Sequence, residues 1–142
     1  MEPQQESLGF LLSDVSRLLR QSFQKRIEGS PLTQAQGRAL VYVSRHEGIR
    51  QVELAEVLEV QPITLARLID QLEQSGLVER RPDPTDRRAY LLFVTPAAAP
   101  HLAAIRAVGK YIRAEVLRGI DKQEIAALYS ALHKMRDNLT SR

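Results

Sequence analysis

The chain has no cysteine, which excludes a disulfide scaffold, a thiolate zinc site and cysteine-based redox sensing. No apolar run approaches the length of a membrane span, and Met1 to Gln5 lack the basic-then-apolar layout of a secretory signal. A soluble, cytoplasmic protein without a membrane partner is expected. There is no glycine-rich phosphate loop, no His-Glu-x-x-His pair and no Gly-x-Ser-x-Gly elbow, so nothing points to an enzyme. His46, His101 and His133 each stand without a second histidine one helical turn away, which argues against a metal site, and no cofactor is expected. His46, near the end of a predicted helix, suits that helix's C-terminal dipole instead.

What is present fits one domain over residues 1–142 with a real core: 44% of residues are apolar, and the charged 26% mixes both signs along the chain. A formal net charge of +3 is a mild bias toward anionic partners and decides little by itself.

Leu8, Leu11, Leu12, Val15, Leu18, Leu19, Phe23 and Ile27 recur at helical spacing, with Asp14, Arg17, Arg20, Gln24 and Lys25 on the other face. This predicts a long amphipathic helix over 8–28. Gly29, Ser30 and Pro31 interrupt it, and Thr33 is placed to cap a second helix that carries Ala39, Leu40 and Val43 and ends near Gly48. A short helix over Val52 to Leu58 turns Leu54, Ala55 and Leu58 inward and Glu53, Glu56 and Glu59 outward. Val60 and Gln61 form a turn, and Pro62 suits the first position of the next helix. Ile63, Leu65, Ala66, Leu68, Ile69 and Leu72 supply that helix's buried side until Ser75-Gly76 stops it. Two short helices joined by a tight turn make a helix-turn-helix.

Beyond Gly76 the period changes. Leu77 to Arg81 and Ala89 to Val94 read as strands around Pro82-Asp83-Pro84-Thr85-Asp86-Arg87-Arg88, a hairpin with a charged tip. Thr95-Pro96 is a cap-plus-proline start signal for a long helix from about Ala97 to Gly119, striped by Leu102, Ile105, Val108, Ile112 and Val116. Asp121 is placed to cap a last helix bearing Ile125, Leu128, Leu132, Met135 and Leu139. The expected fold class is mainly α with a small β-hairpin, a winged helix-turn-helix flanked by terminal helices.

In such a layout the second short helix enters the major groove of double-stranded DNA and the hairpin reaches toward the adjacent minor groove or backbone. Gln61, Thr64, Arg67 and Gln71 fall outward at three- and four-residue steps behind Pro62. Their chemistry suits base edges: Arg bonds guanine through two donors, Gln pairs with adenine, and the Thr methyl contacts thymine. An ordinary solvated helix face is the alternative. Arg87 and Arg88 on a thin hairpin suit the negative potential of a narrow minor groove, with Asp86 orienting an arginine through a charge-assisted bond. The alternative there is a solvated turn that keeps an edge soluble. From Arg50 to Tyr90 six basic residues face eight acids, so DNA binding requires the two signs to be sorted in space. Arg17, Arg20, Lys25 and Arg26 are further sources of positive charge.

These segments together resemble the MarR family, the multiple-antibiotic-resistance type regulators. The matching residues are Leu32-Thr33-Gln34-Ala35-Gln36, Gln51-Val52-Glu53-Leu54-Ala55 and Pro62-Ile63-Thr64-Leu65-Ala66-Arg67-Leu68-Ile69-Asp70. They continue through Gly76-Leu77-Val78-Glu79-Arg80 to Asp83-Pro84-Thr85-Asp86-Arg87-Arg88 and Thr95-Pro96, and the resemblance runs from Leu8 to Leu139. It implies a homodimer joined by helices at 8–28 and 97–141, a DNA-binding lobe at 33–95 and a wing at about 77–94. It also implies a ligand-responsive repressor on a pseudo-palindromic operator, released by a small phenolic or anionic effector. Arg17, Tyr42 and His46 would line an effector pocket if their helices meet; core or surface packing is the other reading. Two departures stand out. Gln61 replaces the usual serine or aspartate before the proline, weakening a cap or freeing the glutamine for contact, and Gly37 sits mid-helix, leaving space nearby. A winged-helix protein-interaction module without sequence-specific DNA binding is the competing reading.

Overall fold

The computed structural model describes residues 6–140, so the stretch Met1 to Gln5 read above for a secretion signal lies outside the described residues. The elements follow as α1 (Leu8–Arg26), α2 (Gln34–Arg45), β1 (Ile49–Arg50), α3 (Gln51–Leu58), α4 (Pro62–Gln74), β2 (Val78–Asp83), β3 (Asp86–Val94), α5 (Ala99–Val116) and α6 (Lys122–Thr140). This is a mainly helical winged-helix fold with a small antiparallel sheet, as the sequence pattern predicts. No helix among the described residues is long and apolar enough to cross a membrane. The chain divides into two units after Gly109.

The first unit holds the core. Ala39, Leu40 and Val43 of α2 meet Leu54, Ala55 and Leu58 of α3, Leu65, Ile69 and Leu72 of α4, and Leu77, Val78 and Leu92 of the sheet region. α2 starts on a reciprocal cap: the Gln36 N–H donates to the Thr33 hydroxyl (3.1 Å) and the Thr33 N–H donates to Gln36 Oε1 (3.0 Å). Between α3 and α4 the chain reverses at Glu59, whose φ of 56° lies in the left-handed region, and the Val60 N–H closes onto the Ala55 carbonyl at 3.1 Å. This is a tight turn with two short amphipathic helices on either side of it.

Several sequence expectations are corrected. The hairpin gains a third strand: β1 pairs with β3, with Ile49 opposite Leu92 and Arg50 opposite Leu91, giving the order β1-β3-β2. Two residues are too few to show alternation in a sequence. α2 ends at Arg45, short of Gly48, whose N–H bonds the Leu92 carbonyl at 2.8 Å and so belongs to the approach to β1. Thr95 does not cap through its side chain; its hydroxyl donates to the Gly76 carbonyl, and a single 3-10 turn at Pro96–Ala98 precedes α5. At Gly37 a Cβ would make an ordinary contact, 3.5 Å from Ile105 Cδ1, so the space there is enough for a methyl group. Ile63 is exposed, although it was expected on the buried side. At 3.6 residues per turn it lies roughly 160° around α4 from Leu65, opposite the buried stripe.

In the second unit the Asp121 carboxylate accepts the Glu124 N–H at 2.9 Å, capping α6 as predicted. That bond holds the Asp121 carboxyl below its ordinary range. Arg113 Nε donates to the Tyr129 hydroxyl at 2.9 Å, and α6 has no buried residue.

Candidate nucleic-acid interface

The lobe sorts its arginines into two groups. Arg80, on β2, is the most engaged: its Nη1 pairs with Asp70 Oδ1 at 2.6 Å and Glu73 Oε1 at 3.3 Å, both on α4. Its Nε donates to Gln51 Oε1 at 2.9 Å and its Nη2 to the Ala66 carbonyl at 3.1 Å. One half-buried guanidinium thus ties the wing strand to the start of α3 and to two turns of α4, fixing the angle at which α4 is presented. Gln51, Asp70, Glu73 and Arg80, with Tyr90, line an open cleft of about 370 Å³. Arg81 pairs with Glu79 at 3.2 Å and stacks over Phe93 at 3.9 Å. Arg50 pairs with Asp83 at 3.0 Å.

Arg67, Arg87 and Arg88 form the other group. All three are exposed, and no guanidinium among them has a hydrogen bond or ion pair among the described residues. Four of the eight acids of this segment are thereby accounted for: Asp70, Glu73, Glu79 and Asp83 neutralise Arg50, Arg80 and Arg81, while the arginines on α4 and at the wing tip stay open.

Asp83 builds the wing turn. Its side chain is 5% exposed, and its Oδ1 accepts both the backbone N–H and the hydroxyl of Thr85 at 2.8 Å. Those two bonds, followed by the Arg50 guanidinium, hold its carboxyl below the usual carboxylate range against the opposing effect of burial. Asp86 acts on the backbone: its Oδ1 accepts the Arg88 N–H at 2.9 Å, an Asx-type turn, in place of the expected bond to an arginine side chain.

The other predicted contact residues take distinct places. Gln61 is the N-cap of α4, not a residue of the helix itself, and makes no side-chain cap bond, in keeping with the weaker cap expected there. Pro62 occupies the first turn, and Thr64 is exposed on the same surface as Arg67. Gln71 is exposed but engaged, since its Oε1 accepts a 2.8 Å bond from Gln36 Nε2 that links α4 to the cap of α2. Tyr42 and His46 come together, their rings stacked 6.3 Å apart, with the Arg38 guanidinium 5.9 Å from the Tyr42 ring. Arg17 does not join them; it is exposed on α1 and pairs with Asp14 at 3.6 Å.

Sequence reasoning missed Arg50, Arg80 and Asp83 as organisers of this surface. The Asp83-Pro84-Thr85 run carried a local signal, the habit of aspartate to bond the backbone two residues on. The Arg80 cluster joins residues from α3, α4 and β2 and had no local signal beyond the surplus of acids.

Comparison with known proteins agrees with this architecture. Residues 32–90 match the MarR family model. A crystal structure of MarR superposes with a TM-score of 0.85 at 28% identity, covering 99% of this chain and 96% of that one. Wild-type apo MarR from E. coli gives 0.79 at 28% identity over 94% and 98%. A Listeria monocytogenes protein described as a MarR family transcriptional regulator, solved in complex with a 26mer DNA, gives 0.80 at 25% identity over 95% and 90%. The family match spans the helix-turn-helix and most of the wing, and the structural match spans nearly the whole chain, so this protein carries a MarR-type winged-helix domain and is similar along its length to MarR family transcriptional regulators.

Proposed function

We propose that this regulator is a cytoplasmic, ligand-responsive repressor that binds a pseudo-palindromic operator in double-stranded DNA as a homodimer. The observation that carries the reading is the division of the arginines: those at the wing base are neutralised, and the open ones stand on the helix and the hairpin tip that a winged helix directs at DNA. In this reading the lobe at 33–95 makes the contacts. Gln61, Pro62, Thr64, Arg67 and Gln71 face the major groove, and Asp86, Arg87 and Arg88 of the wing at 77–94 approach the minor groove. The segments 8–28 and 97–141 form the dimer. Support for that comes from α1, which has no buried residue and exposes Phe10, Leu11, Leu12, Val15 and Leu18, and from α6, which also has none. A second copy covers these faces. A dyad then sets the recognition helices about 34 Å apart, one turn of DNA. Tyr42 and His46, with Arg17 brought to them in the dimer, receive a phenolic or anionic effector.

The test compares Arg67→Ala and Arg88→Ala on duplexes from the flank of the protein's own gene and on scrambled duplexes across a salt series. Arg67→Ala is expected to lose about 1–3 kcal/mol of discrimination between them. Arg88→Ala is expected to weaken binding to both and to lower the salt slope by about one unit. Wild-type affinity of Arg88→Ala for both duplexes would reduce the wing to a solvated turn, and wild-type protein that binds neither duplex would favour a protein-interaction module.

A further inference from the structure

Of the six residues expected on the buried side of α4, Ile63 alone faces solvent: it is 64% exposed, whereas Leu65, Ile69 and Leu72 are fully buried. It follows Pro62 in the first turn and stands one helical turn before Arg67, so the two side chains are neighbours on one face. Thr64 beside it is also exposed, and neither Thr64 nor Arg67 has a side-chain partner among the described residues. Branching at Cβ leaves the isoleucine few rotamers, so this apolar surface cannot fold away. Nothing in the packing of α4 calls for it.

We propose that Ile63 reads the 5-methyl group of a thymine and so determines specificity at one base pair of each half-site. The inference rests on the DNA-binding reading given above. In the major groove the N-terminal residues of a recognition helix reach the base edges. There guanine, adenine and cytosine present donors and acceptors, and the thymine methyl is the apolar group available. An isoleucine pressed on any other edge strips water from polar atoms without returning a hydrogen bond. The contact therefore favours thymine and disfavours its replacements together. Four residues of helix rise about 6 Å, so the thymine lies within about two base pairs of the base that Arg67 reads.

The experiment first selects duplexes from a randomised library with the full-length wild-type protein. Each thymine of a selected duplex is then replaced, one at a time, by deoxyuridine, which keeps the pairing and removes only the methyl. Dissociation constants are measured for wild type, Ile63→Ala and Ile63→Val. Because Ile63 is exposed, both variants keep wild-type helix content, checked by circular dichroism. The expected result is one thymine per half-site whose replacement weakens wild-type binding about fourfold and Ile63→Ala not at all, with Ile63→Val retaining sensitivity. The inference is overturned if Ile63→Ala responds to every replacement as wild type does, or if wild type responds to none. Failure of the underlying reading looks different: wild-type protein then enriches no duplex from the library, and the proposal falls with it.

Discussion

α4 and α6 carry apolar residues at the same three- and four-residue spacing, and they meet different fates. α4 buries Leu65, Ile69 and Leu72 completely, while α6 leaves Leu128 42% and Leu132 37% exposed and buries nothing. α1 repeats the pattern of α6, with Leu12 and Val15 open to solvent. Periodicity thus states that a face is built to be covered and leaves open what covers it. In the lobe the cover is supplied within the chain by α2, α3 and the sheet. For the terminal helices our reading supplies it from a second copy. That difference has measurable consequences.

The largest effect is expected from removing Lys122–Arg142. If α6 serves a dimer, the truncated chain exposes its remaining dimer surface and becomes monomeric or insoluble, as sedimentation will show. A truncated protein that stays soluble and sediments with the mass of a dimer would break the comparison.

Next comes a contrast between two leucines. Leu65→Ala opens a cavity in a closed core and is expected to cost about 2–5 kcal/mol in denaturant unfolding. Leu132→Ala is expected to lower the unfolding midpoint most in dilute protein, because it weakens association. Equal concentration dependence in Leu132→Ala and wild type would count against a dimer through α6. Arg80→Ala follows at about 1–3 kcal/mol, since it strands the half-buried Gln51 amide and the Ala66 carbonyl and unpairs Asp70 and Glu73. That variant also unlatches α4 from β2, so its DNA affinity should fall even though Arg80 is turned inward. Unchanged stability and affinity would mean that core packing alone orients α4.

How much was legible follows from the range of each interaction. The long helices, the turn between α3 and α4, the Thr33 and Asp121 caps and the charged hairpin were all readable, because periodicity and caps act over three or four residues. β1 was not, since its partners Leu91 and Leu92 lie more than forty residues away. Ile63 was misread through polarity alone; its angular position on α4 contained the correct answer. At the candidate interface, Arg67, Arg87 and Arg88 were identified as outward residues and are exposed. Their openness became visible only when Asp70, Glu73, Glu79 and Asp83 were seen paired with other arginines, a competition that sequence order does not resolve.

The smallest effect concerns the wing turn and depends on pH. The Asp83 carboxylate accepts two bonds from Thr85 and faces Arg50, all of which favour its charged form in the folded protein. Its folded value therefore lies below the ordinary 3.8. A carboxyl lowered in this way stabilises the fold in full above its unfolded value, and that contribution disappears as pH falls through the folded value. Asp83→Asn keeps an oxygen for the Thr85 N–H and loses the charge opposite Arg50. Wild type should thus be the more stable protein at neutral pH, and the gap between the two denaturation midpoints should hold down to the ordinary carboxylate value of 3.8 and close as pH falls below it. Binding provides the second half of the test. The turn formed by Asp83 and Thr85 precedes Asp86, which itself bonds the Arg88 N–H, so loosening it disorders the tip while leaving α4 in place. Asp83→Asn should then weaken binding to operator and scrambled duplexes alike, as loss of Arg88 does, and preserve the discrimination that Arg67 supplies. A gap in midpoints that stays constant across the acid range would show that Asp83 does not change its charge state with folding, and a selective loss of operator discrimination would show that the wing and the recognition helix are not separable parts of the surface.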